Sequence, residues 1–200
     1  MSTKETKLIE FFKKKAGVIA YREIIAAGFS KTIINQSIRN GSVIRVERGL
    51  YSLREGNFSS NPDLTTVSVK IQKGVICLIS ALFFHEATLE IPHKIYVAIP
   101  RNTRRVKISY PPVRYYSFTQ KAWEAGIEEH IIDGHKVKVY SLAKTIADCF
   151  KFRHKIGIDV ARDALKTGLQ EKHVNPLDIL RFAKICRVDA IIQPLLETLI

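Results

Sequence analysis

Residues 42–53 read SVIRVERGLYSL. Apolar residues alternate on both sides of a tight centre, Glu47-Arg48-Gly49. Ile44 and Val46 alternate with Arg45, and Tyr51 and Leu53 alternate with Ser52. Alternation with period two predicts two paired strands, with one set of side chains on a core and the other outside. Gly49 supplies the positive φ that a tight turn needs. The expected element is a short β-hairpin with two arginines, Arg45 and Arg48, near its tip. Glu47 sits between them.

Upstream, KETKLIEFFKKKAG has Leu8, Phe11 and Phe12 at helical spacing. Lys13, Lys14 and Lys15 approach the C-terminal end, where cations suit the helix dipole, and Gly17 stops the helix. VIAY reads as a short strand, and REIIAAG as a brief helix ended by Gly28. FSKTIINQSIRNG is a further helix, with Ser30 as N-cap and Gly41 as the C-terminal stop. The order is helix, strand, helix, turn, helix, hairpin within about fifty residues, which is the order of a winged helix-turn-helix. In the third helix Ile33, Ile34 and Ile38 can bury. Lys31, Thr32, Asn35, Gln36 and Arg39 then fall elsewhere, with no acid among them. Asn and Gln can pair with adenine in bidentate fashion and Arg with guanine. Those five residues are the expected base-reading or helix-positioning set. Arg45 and Arg48 are the expected contacts to phosphate or the minor groove. Glu47 would repel phosphate unless it pairs with Arg45 or Arg48.

Residues 54–64, REGNFSSNPDL, have the composition of a linker. The expected division is a DNA-binding domain over 1–54, a linker over 55–64 and a C-terminal domain over 65–200. In the latter, LISALFFHEA reads as a helix, KIYVAIP and VRYYSF as strands, and IEEHIIDGHKVKVYS as a hairpin turning at Asp133-Gly134. Four helical patterns follow: SLAKTIADCFKF, IDVARDALKTG, PLDILRFAKICR and VDAIIQPLLETLI. Asn175 caps the third, with Pro176 at its first position. Pro194 should kink or split the last. The fold class is therefore α+β: an N-terminal winged helix-turn-helix, then a mixed α/β domain with a small sheet and a helical C-terminal part.

Charge points the same way. The chain of 200 residues carries 32 basic and 19 acidic residues, a formal net charge of +13. Residues 1–54 hold eleven Lys/Arg against four acids, and residues 91–123 hold seven basic residues and no acid. Such an excess attracts phosphate backbones. In RNTRRVKISYPPVRYY, Arg101, Arg104, Arg105, Lys107 and Arg114 interleave with Tyr110, Tyr115 and Tyr116. Cations among aromatics suit nucleic-acid backbones and unstacked bases, and a solvated loop with half-buried tyrosines explains the run equally well. No run of 18 apolar residues suggests a membrane span, and the N-terminal residues carry no secretory pattern. Cys77, Cys149 and Cys186 are odd in number and widely spaced, which fits buried thiols in a reducing cytoplasm.

Signatures of an enzyme are missing. The acids are not clustered for a two-metal site, and no G-x-S-x-G, phosphate loop or H-E-x-x-H occurs. His85, Glu86 and His93 have the wrong spacing for one helix face, with Pro92 interrupting. Asp148, flanked by apolar residues, could be a functional carboxylate, but the favoured reading is a salt bridge to Arg153 or Lys144 or a cap for a neighbouring helix. No metal, cofactor or catalytic residue is expected. The rival readings are an enzyme acting on nucleic acid and targeted by the winged helix, and a regulator responding to a small ligand.

The chain resembles the AbiEi-like antitoxins of type IV toxin–antitoxin operons over nearly its whole length. The resemblance rests on the helix-turn-helix and RVERGLYSL, and more specifically on SALFFHEATLEIPHKIYVAIP and VYSLAKTIADCFKFRHKIGIDVARDALK. It implies a winged helix that represses its own operon. It also implies a C-terminal domain that counters a nucleotidyltransferase-like toxin, in some members without a stable complex. Ser80, His85, Pro92, Thr145, Asp148 and Arg153 fall in the matching stretches. The partners implied are duplex DNA, bound as an inverted repeat, and a cognate toxin.

Overall fold

The structure is a computed structural model that describes residues 3–15, 17–55 and 61–199. It is a mixed α+β chain with two small sheets and several helices. Among the described residues, no helix is long and apolar enough to cross a membrane. The chain divides into two compact units. The first is Met1–Gln72 with two returning segments, Val106–Pro111 and His130–Val137; the second is Lys73–Arg105, Pro112–Glu129 and Lys138–Ile200.

The first unit begins with α1 (Thr3–Lys15), β1 (Ile19–Ala20), α2 (Tyr21–Ala26) and α3 (Lys31–Arg39). The hairpin strands β2 (Val43–Glu47) and β3 (Leu50–Leu53) follow, then α4 (Pro62–Lys70). The strands form a three-stranded antiparallel sheet in the order β1-β3-β2. Leu8, Phe12, Ile19, Ile24, Ile33, Ile34, Val43 and Leu53 make its core. Each fully buried aliphatic or aromatic side chain there is worth roughly 1.5–3 kcal/mol relative to exposure. α3 starts where expected: the Ser30 hydroxyl accepts from the Ile33 N–H at 3.4 Å. Gly49 turns the hairpin at φ +77°.

Ser52 departs from simple alternation. It was expected outside, yet it is buried, as is Leu53 beside it. β3 is the central strand, and the Ser52 hydroxyl donates to the Gly17 carbonyl at 3.0 Å, so burial leaves no unpaired polar group. Of the expected linker, residues 56–60 lie outside the described residues. Its last residues form the first turn of α4, a helix with no strong apolar period in the sequence.

The second unit holds β4 (Val75–Ile76), α5 (Leu78–Phe84), β5 (Ile95–Pro100), β6 (Val113–Phe118) and α6 (Gln120–Glu124). The hairpin β7 (Ile127–Ile132) and β8 (His135–Tyr140) turns with positive φ at Asp133 and Gly134, as a tight two-residue loop requires. The five strands run in the order β6-β5-β4-β8-β7, with β5 and β6 parallel. The helices are α7 (Leu142–Lys151), α8 (Arg153–Ile156), α9 (Ile158–Gln170), α10 (Pro176–Cys186) and α11 (Asp189–Leu199). Asn175 accepts from the Leu177 N–H at 2.9 Å, with Pro176 in the first turn of α10. α11 is not split by Pro194, which lies within one continuous helix, exposed on its surface. β4 and α6 had no signal of their own, being only two and five residues long.

α7 runs through the second core, with Ala143 to Phe150 all buried. Inside it Lys144 Nζ meets Asp148 Oδ2 at 2.5 Å, both side chains fully buried. The Cys186 thiol donates to the other Asp148 oxygen at 3.1 Å. Lys144 Nζ also lies 4.2 Å from the Tyr140 ring centre and 4.9 Å from that of Phe118. Burial pushes the Asp148 carboxyl up, against the pull of Lys144 and of the Cys186 hydrogen bond. Arg153, the other expected partner, instead donates to the Phe150 carbonyl at 2.9 Å.

Candidate nucleic-acid interface

α3 divides its residues by face. Ile33 and Ile34 are buried, Ile38 is half-buried, and Lys31, Thr32, Asn35, Gln36 and Arg39 are all exposed. A row of cations and amides thus stands on a helix whose other side is fixed in the core. The fixing is reinforced at the far end of α3. Glu5 on α1 is fully buried, and its carboxylate accepts from the Asn40 side-chain amide at 3.1 and 3.2 Å and from the Ser42 hydroxyl at 3.4 Å. A buried carboxylate is costly without such donors, so these bonds lock α1 to the end of α3.

The hairpin exposes Arg45 on β2 and Arg48 in the turn. Among the described residues, none of the seven side chains (Lys31, Thr32, Asn35, Gln36, Arg39, Arg45 and Arg48) enters an ion pair. Glu47 does not stand beside the two arginines in solvent. It is buried, at 8 % exposure. Its Oε1 accepts from the Arg48 backbone N–H at 2.7 Å, and its Oε2 accepts from the Ser109 N–H at 2.7 Å and the Tyr110 N–H at 3.3 Å. The Arg48 N–H, ahead of an opposing desolvation, holds the Glu47 carboxyl below its ordinary range. Backbone donors thus stand where an arginine side chain would have been one way to offset its charge, two of them more than sixty residues away. A register shift between Arg45 and Glu47 lets two neighbouring residues point differently from strict alternation. Lys70 on α4 donates to the Arg48 carbonyl, so both backbone polar groups of Arg48 are tied to side chains.

The basic run after β5 is divided between the two units. Arg101, Arg104, Arg105, Lys107 and Arg114 are all exposed. Lys107, however, belongs to the first unit and the other four to the second. Nor are all its tyrosines available to stack on bases. Tyr116 is 3 % exposed, lying against Tyr96 with ring centres 5.7 Å apart and edge-on to Phe152 at 4.9 Å. Burial raises its hydroxyl to about 12. Arg105 sits 6.0 Å from the Tyr115 ring centre, and Arg114 5.7 Å from that of Tyr116. Lys151 and Lys155 join this aromatic row against Phe152, at 5.9 and 5.8 Å. Sequence reasoning missed them because they come from helices far along the chain.

Within the second unit, Ser80 accepts from the Tyr96 N–H at 3.0 Å and donates to the Lys94 carbonyl. His85 Nε2 lies 2.8 Å from the Tyr140 carbonyl, and Thr145 donates to the same carbonyl. These residues join α5 to β5 and to the end of β8. Among the described residues, no group of three His, Cys, Asp or Glu is placed to hold a metal ion. A surface pocket of about 540 Å³ is lined by Glu86, Glu90, Asp163 and Glu171, with Lys166 the sole cation in its lining, and so suits no phosphate.

No known protein family matches the chain, and no curated protein does. Among solved structures, the chain is similar to the RV2827C protein from Mycobacterium tuberculosis. The two are 11 % identical with a TM-score of 0.56, over 94 % of this chain and 77 % of that one. At that identity the likeness concerns the fold alone.

Proposed function

We propose that the protein is a DNA-binding transcriptional regulator with an N-terminal winged helix. Its α3 enters the major groove of duplex DNA, and its hairpin is the wing. The observation that carries this reading is the division of α3. Five polar residues without an acid are exposed together, on a helix capped by Ser30 and anchored through Ile33, Ile34 and the Glu5–Asn40 bond. Lys31, Thr32, Asn35, Gln36 and Arg39 read bases or seat the helix. Arg45 and Arg48 contact phosphate or the minor groove. Glu47 turns its carboxylate to backbone donors and away from solvent.

Within that reading, the family resemblance supplies the biological setting. The protein is an AbiEi-like antitoxin that represses its own operon from an inverted repeat and counters a nucleotidyltransferase-like toxin. It acts in the cytoplasm, in keeping with three buried free thiols. It is not an enzyme in this account and takes no cofactor.

The test is fluorescence-anisotropy titration with labelled duplex from upstream of this gene against scrambled duplex, at two salt concentrations. The expected result is preferential binding to the upstream duplex. With about six phosphates neutralised, log K falls with log salt with a slope near −5. Equal, weak binding to both duplexes would refute sequence reading by α3.

A further inference from the structure

The wing, on the DNA-binding reading above, is more than the hairpin. Glu47 sits at the end of β2 with its carboxylate turned away from solvent, accepting from Arg48, Ser109 and Tyr110 N–H groups. The last two belong to Val106–Pro111, which joins the first unit although it lies far beyond it in sequence. Hydrogen bonds to an ionised acceptor are short and roughly twice as strong as neutral ones, and both 2.7 Å bonds are of this kind. Lys107 is exposed, two residues from Ser109. Two residues of chain span at most about 7 Å, so the Lys107 backbone stays beside the hairpin tip while the tether holds.

We propose that the DNA-contacting wing is composite: Glu47 tethers Val106–Pro111 to the hairpin tip, so that Lys107 joins Arg45 and Arg48 in one phosphate-binding surface. Glu47 is then a positioning residue, and its effect has an unusual sign. Removing an acid next to two arginines should strengthen attraction to DNA by simple electrostatics. Removing a tether that holds a cation in place weakens it.

The experiment compares the wild-type chain, E47Q, K107A and E47Q/K107A on the upstream duplex across a salt series, with N35A/Q36A as the control for base reading. Glutamine keeps the size of the side chain but offers one acceptor oxygen where the carboxylate offers two. The expected result is that E47Q and K107A each weaken binding by about three- to tenfold and lower the salt slope by about 0.9, the mark of one lost phosphate contact. The double variant is no weaker than either alone. In the absence of DNA, hydrogen exchange at the Ser109 and Tyr110 amides accelerates in E47Q and is unchanged in K107A. Circular dichroism on every variant separates a lost tether from a lost fold.

E47Q that binds as tightly as wild type or tighter, with an unchanged slope, overturns the composite wing while leaving the DNA reading intact. So does unaltered exchange at Ser109 and Tyr110. If E47Q lowers the slope by two or more, the whole wing has collapsed and Glu47 is structural, which also overturns the proposal. Failure of the DNA reading looks different: wild type shows no preference for the upstream duplex and N35A/Q36A changes nothing, and both proposals then fall.

Discussion

The two units bury their acids in opposite ways. In the first, Glu5 and Glu47 are satisfied by neutral donors: an amide, a hydroxyl and three backbone N–H groups. In the second, Asp148 faces Lys144 inside a core with no solvent access. Neutral donors leave the acid's charge in place and fix the segments around it. An opposite charge cancels it, in a setting where desolvation of either partner alone is severe. The first arrangement suits a surface that must hold cations in order. The second suits a core, and ties α7 to Cys186 at the end of α10.

The comparison breaks most visibly at Asp148. D148A leaves Lys144 charged and unpaired in the core, and should cost about 3–5 kcal/mol of stability. Replacing both partners by apolar residues of similar size, as in K144M/D148L, should recover most of that loss. Urea unfolding followed by circular dichroism measures both. A D148A variant as stable as wild type would mean that the pair is solvated, contrary to its geometry.

Glu47 sharpens the comparison with a smaller effect. Its folded pKa lies below the ordinary value of 4.5, because the charged form is the one that accepts hydrogen bonds. Its contribution is therefore fully present above that value and is lost as pH falls through the folded pKa. Wild type should lose more stability than E47Q between about pH 5 and pH 3. Identical acid profiles for the two would show that Glu47 is no better bound in the folded chain than in the unfolded one.

The α3 face was legible because its signals are local: Ser30, the isoleucines Ile33, Ile34 and Ile38, and Gly41 lie within one window. The hairpin was legible for the same reason, down to Gly49. Glu47 was not. Its main partners are Ser109 and Tyr110, and nothing in either stretch marks a bond across that separation. Ser52 misled because alternation assumes one wet face, and a central strand in a small sheet has less of one. The basic run at 101–116 reads as one feature in sequence, yet Lys107 belongs to one unit and Arg101, Arg104, Arg105 and Arg114 to the other. Asp148 was read nearly in full, since Lys144 stands one helical turn before it and any buried acid needs a partner.

The central claim is that α3 reads bases while Arg45 and Arg48 on the hairpin hold the backbone. The most direct measurement is the affinity of N35A/Q36A and of R45A/R48A for upstream and scrambled duplex over a salt series. The account predicts that N35A/Q36A loses most of the preference, at about 1–3 kcal/mol for each bidentate contact removed, and keeps the salt slope. R45A/R48A keeps the preference and flattens the slope by about two contacts. An N35A/Q36A variant that still prefers the upstream duplex as wild type does would contradict the account.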